Sequence, residues 1–208
     1  MNELRTMYMM NNHDLKIKVR DVMRYLRVRE SDATMRRLLE ECSNLVYESA
    51  VPKAVYTKVN VKIEGDYVDF GFMKVHSNSL SMHLADCDEA FIMAATLGVG
   101  IDRLFEKYNR ILQTKAAVCD ATASALIESF CDYVNEFIVD KKDAVMRFSP
   151  GYGDFDLKHQ IDVLSYLDAN KKIGITLTDS LMMVPTKSVT AIVGIKREGI
   201  INEYTEID

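Results

Sequence analysis

A chain of 208 residues, 48% hydrophobic and 27% charged, has the balance of an ordinary globular protein and is long enough to bury its own core. Its net charge of −5 excludes a general nucleic-acid binder, which needs a basic footprint. No apolar run approaches the ~20 residues of a membrane-spanning helix, and Met1 to Asn12 carries no signal-peptide core, so the expected location is cytoplasmic.

Cysteine and histidine usage narrows the chemistry. Cys42, Cys87, Cys119 and Cys131 are far apart, and His13, His76, His83 and His159 form no pair at helical spacing. The sequence therefore predicts reduced, mostly buried thiols and no metal site. Twelve methionines and no tryptophan point to a soft core.

In chain order, residues 14–29 place Val19, Val22, Met23 and Leu26 on one helical face. Lys16, Lys18, Arg20, Arg24, Arg27 and Arg29 surround it, either as a solvated face or as a docking surface for an acidic partner. Ser31 or Asp32 caps a second helix over about 32–49, with Met35, Leu38, Leu39, Cys42, Leu45 and Val46 as its core stripe. Pro52 ends it. Val59, Val61 and Ile63 then alternate with polar neighbours as in a half-buried strand. Gly65-Asp66 makes a two-residue hairpin loop, and Val68, Phe70 and Phe72 form the return strand. Leu80, Met82 and Leu84 give a third alternating run.

Residues 90–97 are nearly all apolar and read as a central strand buried on both faces. Gly98-Val99-Gly100 turns into a helix with Ile101, Leu104, Phe105, Tyr108 and Leu112 inward. A dinucleotide fingerprint fails there, because Arg103 stands where its third glycine belongs. A long helix follows over about 115–139. Ala123, Leu126, Ile127, Phe130, Val134, Phe137 and Ile138 form its apolar face, and Asp120, Ser124 and Glu128 line up beside it. Further on, Asp154 or Asp156 caps a helix running to about Leu167, with Leu157, Ile161 and Leu164 inward. Residues 173–177 read as a strand and 181–195 as one or two more, and the acidic tail from Glu203 reads as a frayed end.

Between the long helix and the capped one lies Arg147-Phe148-Ser149-Pro150-Gly151-Tyr152-Gly153-Asp154. Pro150 fixes its own φ and pushes Ser149 towards an extended conformation, while Gly151 and Gly153 allow backbone angles that a side chain forbids. Taken alone, this is either a strand-to-helix turn with its arginine in water, or a loop that turns peptide groups to a ligand with Arg147 ready for a carboxylate.

Arg-Phe-Ser-Pro-Gly-Tyr resembles the Arg-x-x-Pro-Gly-Tyr signature of the activation (reactivation) domain of cobalamin-dependent methionine synthase. Residues 173–185, Ile-Gly-Ile-Thr-Leu-Thr-Asp-Ser-Leu-Met-Met-Val-Pro, followed by Ser188-Val189, resemble a second segment of that family. The likeness is sharp from about Asp120 to Val193. Together with the strand and helix pattern, it implies an α+β fold: a central, mostly antiparallel twisted sheet flanked by helices. Residues 1–208 are expected to form a single domain, with a helical part over 1–50 and the sheet, its helices and the Arg147–Tyr152 loop over 51–208.

The resemblance further implies a free-standing reactivation subunit, accessory to the methyltransferase methionine synthase in methionine biosynthesis. It would bind S-adenosylmethionine for reductive methylation of cob(II)alamin carried by a partner polypeptide, with an electron from a flavodoxin- or ferredoxin-type donor. Such a protein supplies no acid, base or nucleophile, only positioning. By the same resemblance Arg147 would hold the methionyl carboxylate and the Ser149 backbone would meet the adenine or amino group. Gly151 would permit close approach and Tyr152 would wall the groove. Glu128, in Leu126-Ile127-Glu128-Ser129-Phe130, would face the ligand.

Three departures stand out. Gly-Tyr-Gly-Asp-Phe-Asp replaces the family's Gly-Tyr-Pro-x-Cys-Pro, the paired tyrosines after the Ser-Val-Ser segment have no counterpart, and no Asp-x-His-x-x-Gly run is present to hold cobalamin. They leave a second reading open: a non-catalytic interaction or regulatory module of the same fold, docking on a corrinoid protein without S-adenosylmethionine.

Overall fold

The computed structural model describes residues 5–8, 14–30, 32–139 and 143–197. His13, Ser31 and the tail from Glu203 lie outside the described residues. The central element is an antiparallel four-stranded sheet in the order β1 (Arg5–Tyr8), β2 (Lys53–Asn60), β6 (Cys87–Thr96), β9 (Ser188–Lys196). β2, β6 and β9 bury both faces, and their two-residue period divides the apolar side chains between two cores. Ala54, Tyr56, Met93, Ala95, Ala191 and Val193 join a core with α1 (Val19–Leu26), α2 (Ala33–Ser49), α4 (Val99–Ile111) and α5 (Gln113–Val139). Val55, Val59, Ala90, Ile92, Ala94 and Ile192 face the other core. It contains α3 (Asn78–His83), α6 (His159–Tyr166), α7 (Ala169–Ile173) and the meander β3 (Lys62–Glu64), β4 (Tyr67–Asp69), β5 (Lys74–His76). A two-stranded ribbon, β7 (Thr176–Leu177) and β8 (Met183–Val184), leads into β9. This is the expected α+β architecture.

The central strand, α2 with its Asp32 cap (Oδ1 accepting from Met35 N at 2.7 Å) and the Gly65-Asp66 hairpin stand where the residues place them. All four cysteines are buried free thiols. Among the described residues, no helix is long and apolar enough to cross a membrane.

Several expectations need correction. The run over 79–84 is helical, α3 with Leu84 as its C-cap, not a strand. Leu80 and Leu84 satisfy both a period of two and a spacing of i, i+4; Met82, 71% exposed, shows which period holds. The run over 58–64 is split, β2 ending at Asn60 and β3 starting a different sheet at Lys62, with Val61 N donating to Asp88 O between them. The return strand stops at Asp69, leaving Phe72 stacked on Tyr166 at 3.8 Å.

The first helix covers only 19–26. Before it, Leu15 is buried with its carbonyl accepting from the Tyr47 hydroxyl at 2.7 Å. After Tyr152, α6 begins at His159 and buries Val163 and Leu164 while Ile161 is exposed, and neither Asp154 nor Asp156 is its N-cap. Residues 169–173 are helical, so only Thr176–Leu177 remains of the expected 173–177 strand. Leu112 and Phe137, read as inward, are exposed.

Candidate functional site

The site is built on α5. Residues four apart on a helix advance by a full turn plus a small drift, so Asp120, Ser124, Glu128 and Asp132 make one ridge. Two cations from distant segments grip it. Lys187, immediately before β9, donates to Asp120 Oδ1 and to Ser124 Oγ, both at 2.9 Å, and its ammonium lies 5.4 Å from the Phe105 ring centroid. Arg147 donates through Nη2 to Glu128 Oε2 at 3.0 Å and through Nη1 to Asp132 Oδ1 at 2.8 Å. The Arg147 side chain is 19% exposed. Burial works against its charge, but the neighbouring Cys131, Asp132 and Glu128 outweigh it and raise its pKa. Beneath it, burial pushes the Cys131 thiol up to about 12, with Arg147 pulling the other way.

Arg147 is placed by the edge of the sheet. Residues 143–148 run antiparallel along β9, with Phe148 and Ile192 exchanging backbone hydrogen bonds of 2.9 and 2.8 Å and Val145 N donating to Gly194 O at 2.9 Å. The segment covers an edge that would otherwise be unpaired. His83 Nε2 lies 2.7 Å from the Met146 carbonyl oxygen and braces the segment from α3.

Beyond Arg147 the loop folds on itself. Ser149 Oγ donates to Thr190 O at 2.7 Å, Tyr152 N donates to Ser149 O at 3.0 Å, and Gly151 N donates to Phe155 O at 2.7 Å, with Gly151 at φ +94°. The Ser149 N–H has no hydrogen-bond partner among the described residues. Tyr152 is exposed, its ring edge-on to Phe148 with centroids 5.8 Å apart. Asp154 does not start the next helix. Its carboxylate reaches back 77 residues to accept from Ser77 Oγ at 2.5 Å, Asn78 N at 2.9 Å and Ser79 N at 3.0 Å, so it caps α3. Those bonds, the Ser77 hydroxyl foremost, hold its pKa below the ordinary carboxylate value.

The second motif is tied to the same place. Thr178 N donates to Met182 O at 2.9 Å, closing a turn with Leu181 at φ +63°. Gln160, buried on α6, donates to Leu181 O at 2.8 Å and accepts from Thr190 Oγ1 at 3.5 Å.

Of the residues singled out from sequence, the structure brings Arg147 and Glu128 into direct contact. Ser149 turns its hydroxyl to β9. No hydrogen bond, ion pair or ring contact among the described residues joins Gly151 or Tyr152 to Glu128. Asp132 and Lys187 were not singled out. Asp132 continues the four-residue spacing of Asp120, Ser124 and Glu128, which was the available signal; Lys187 had none beyond its place in the second motif. A crevice of about 50 Å³ separates Glu128 and Asp132 from Lys16, Lys18, Arg24 and Tyr25 on the α1 side. The α1 cations are exposed, as a solvated or docking face would be, and Arg24 makes a 3.7 Å ion pair with Asp21.

Comparison with known proteins bears on this arrangement. No curated protein sequence matches the chain. A crystal structure described as the MetH reactivation domain bound to AdoHcy has the same fold, with a TM-score of 0.71 and 14% sequence identity, covering 96% of this chain and 80% of that chain. The family described as "Vitamin B12 dependent methionine synthase, activation domain" matches residues 79–200, a span that runs from α3 through both motifs and all of β9. The chain belongs to the vitamin B12-dependent methionine synthase activation-domain family.

Proposed function

We propose that this chain binds S-adenosylmethionine between the α5 ridge and the Arg147 loop, and serves the reductive methylation of cob(II)alamin carried by a partner protein. The observation that carries the reading is the contact of Arg147 with Glu128, two residues 19 apart in sequence that the resemblance assigns to one ligand. The residues suit such a molecule. A guanidinium matches the methionyl carboxylate. Glu128, half exposed, can accept from ribose hydroxyls or pair with the ammonium or sulfonium. The open Ser149 N–H is a donor for adenine. The related reactivation-domain structure, described as bound to AdoHcy, is in keeping with a ligand of this class. The bound nucleoside would supply an electrophilic methyl group to a corrinoid on the partner, the one electron of a flavodoxin- or ferredoxin-type donor reducing cob(II)alamin to the cob(I) nucleophile and S-adenosylhomocysteine leaving. The chain's own part is to hold and orient the sulfonium.

Calorimetric titration tests this. The wild type is expected to bind S-adenosylmethionine, and Arg147→Ala to bind it roughly 10- to 150-fold more weakly, the range for a lost charge-assisted hydrogen bond. The second reading, a docking module without this ligand, has one observation in its favour: both terminal amino groups of Arg147 are already engaged by carboxylates of α5. Absence of heat from the wild type at millimolar ligand would select it.

A further inference from the structure

We propose that Asp132 competes with the ligand for Arg147, so that a carboxylate of the chain itself sets the affinity for any ligand bearing one. The inference rests on the reading that S-adenosylmethionine binds at this place. A guanidinium grips a carboxylate best through two parallel N–H groups. Here Nη1 is spent on Asp132 at 2.8 Å and Nη2 on Glu128 at 3.0 Å. Glu128 alone neutralises Arg147, so the second acid is one more than charge balance requires.

Asp132 is also the more exposed of the two, 61% against 48%, and the easier to release into water. Lys16, Lys18 and Arg24 border the crevice that it lines, with Asp21 there pairing with Arg24 at 3.7 Å, so a displaced Asp132 carboxylate has the two lysines to turn towards. Its departure frees Nη1 for the incoming carboxylate while Glu128 keeps its place.

Simple electrostatics gives the opposite sign, which makes the matter decidable. S-adenosylmethionine carries a net positive charge, and removing an acid beside it would weaken binding. Competition predicts tighter binding instead, and only for a ligand with a carboxylate.

The test is calorimetric titration of the full chain, wild type and Asp132→Asn, with S-adenosylmethionine and with its decarboxylated analogue; circular dichroism melting establishes that both proteins fold. Asp132→Asn is expected to bind S-adenosylmethionine about 1.5- to 5-fold more tightly, the worth of one exposed ion pair, with no gain for the decarboxylated analogue. Binding by the variant alone would support the inference most strongly. Unchanged affinity, equal tightening of both ligands, or weaker binding of S-adenosylmethionine overturns it; the last would mean that Asp132 holds the ligand's ammonium. Binding by the wild type without gain in the variant sinks this inference alone. Binding by neither protein sinks the proposed function with it.

Discussion

Gly153 and Gly65 form a matched pair for testing how the loop is held. Both have left-handed backbones, φ +55° and +61°. Around Gly65 there is nothing within 4 Å of an added Cβ, whereas at Gly153 it would lie 2.5 Å from Ser79 Oγ and 2.8 Å from Ser79 Cβ. The hydroxyl can rotate away; the Cβ cannot move without the backbone, and the Ser79 N–H is bonded to Asp154. Gly65→Ala therefore costs only left-handed strain, about 1–2 kcal/mol. Gly153→Ala costs the same strain plus overpacking of about 1–3 kcal/mol. The difference, about 1–3 kcal/mol, corresponds to a melting temperature roughly 2–12 °C lower for Gly153→Ala in a chain of this size. Urea unfolding and calorimetric melting of the two variants side by side measure it. Equal destabilisation would refute the close approach of the loop to α3.

Two further outcomes follow from the same contacts. Asp154 has a depressed pKa in the folded state, so its stabilisation is fully present above its ordinary value of 3.8 and is lost as pH falls through the lower folded value. Urea midpoints of wild type and Asp154→Asn should differ at pH 7 and converge as the pH drops below about 4. A gap that is constant with pH would deny the capping role. Lys187→Met removes the ammonium over Phe105 and the ion pair with Asp120, while Ser124 Oγ keeps its bond to Asp120 O at 3.0 Å, and should destabilise by about 1 kcal/mol. The loosening should appear as faster amide exchange at the start of β9; unchanged exchange there would show that the ion pair does not fasten this end of the strand.

Much of the fold was legible because its long elements have a single period. The apolar stripe of α5 fixes a helix by its period, and the short apolar run of β6, ended by the Gly98 turn, fits a strand buried on both faces. Short elements do not. Leu80 and Leu84 fit strand and helix alike; Ser77 caps the helix locally, its hydroxyl accepting from Leu80 N, and a carboxylate 77 residues after Ser77 holds the N–H groups of Asn78 and Ser79. No window around residue 80 contains Asp154. β1 was missed for the same kind of reason, since four residues acquire strand character only by pairing with β2. Within the site, the Arg147–Glu128 contact was reachable only through the family resemblance, because a side chain's partner across 19 residues has no local signature. Asp132 was reachable by spacing alone.

The proline–glycine motif also reads differently once its contacts are known. Phe148 pairs with Ile192, the Ser149 hydroxyl holds Thr190, Gly151 N–H closes on Phe155, and Gly153 and Asp154 lie against α3. Nearly every residue of the run is spent on fixing the loop to β9 and α3. A match to such a motif is thus a statement about backbone shape first and about a ligand second. That is why Gly-Asp-Phe-Asp can stand where the family has Pro-x-Cys-Pro: Gly153 and Asp154 supply a fastening of their own, through the α3 N-terminus. On the proposed reading, the groups left for a ligand are the Arg147 guanidinium, the Glu128 carboxylate and the Ser149 N–H, and the first two are engaged with the chain itself. Ligand affinity, on that reading, would turn less on the loop's sequence than on how readily α5 releases its arginine.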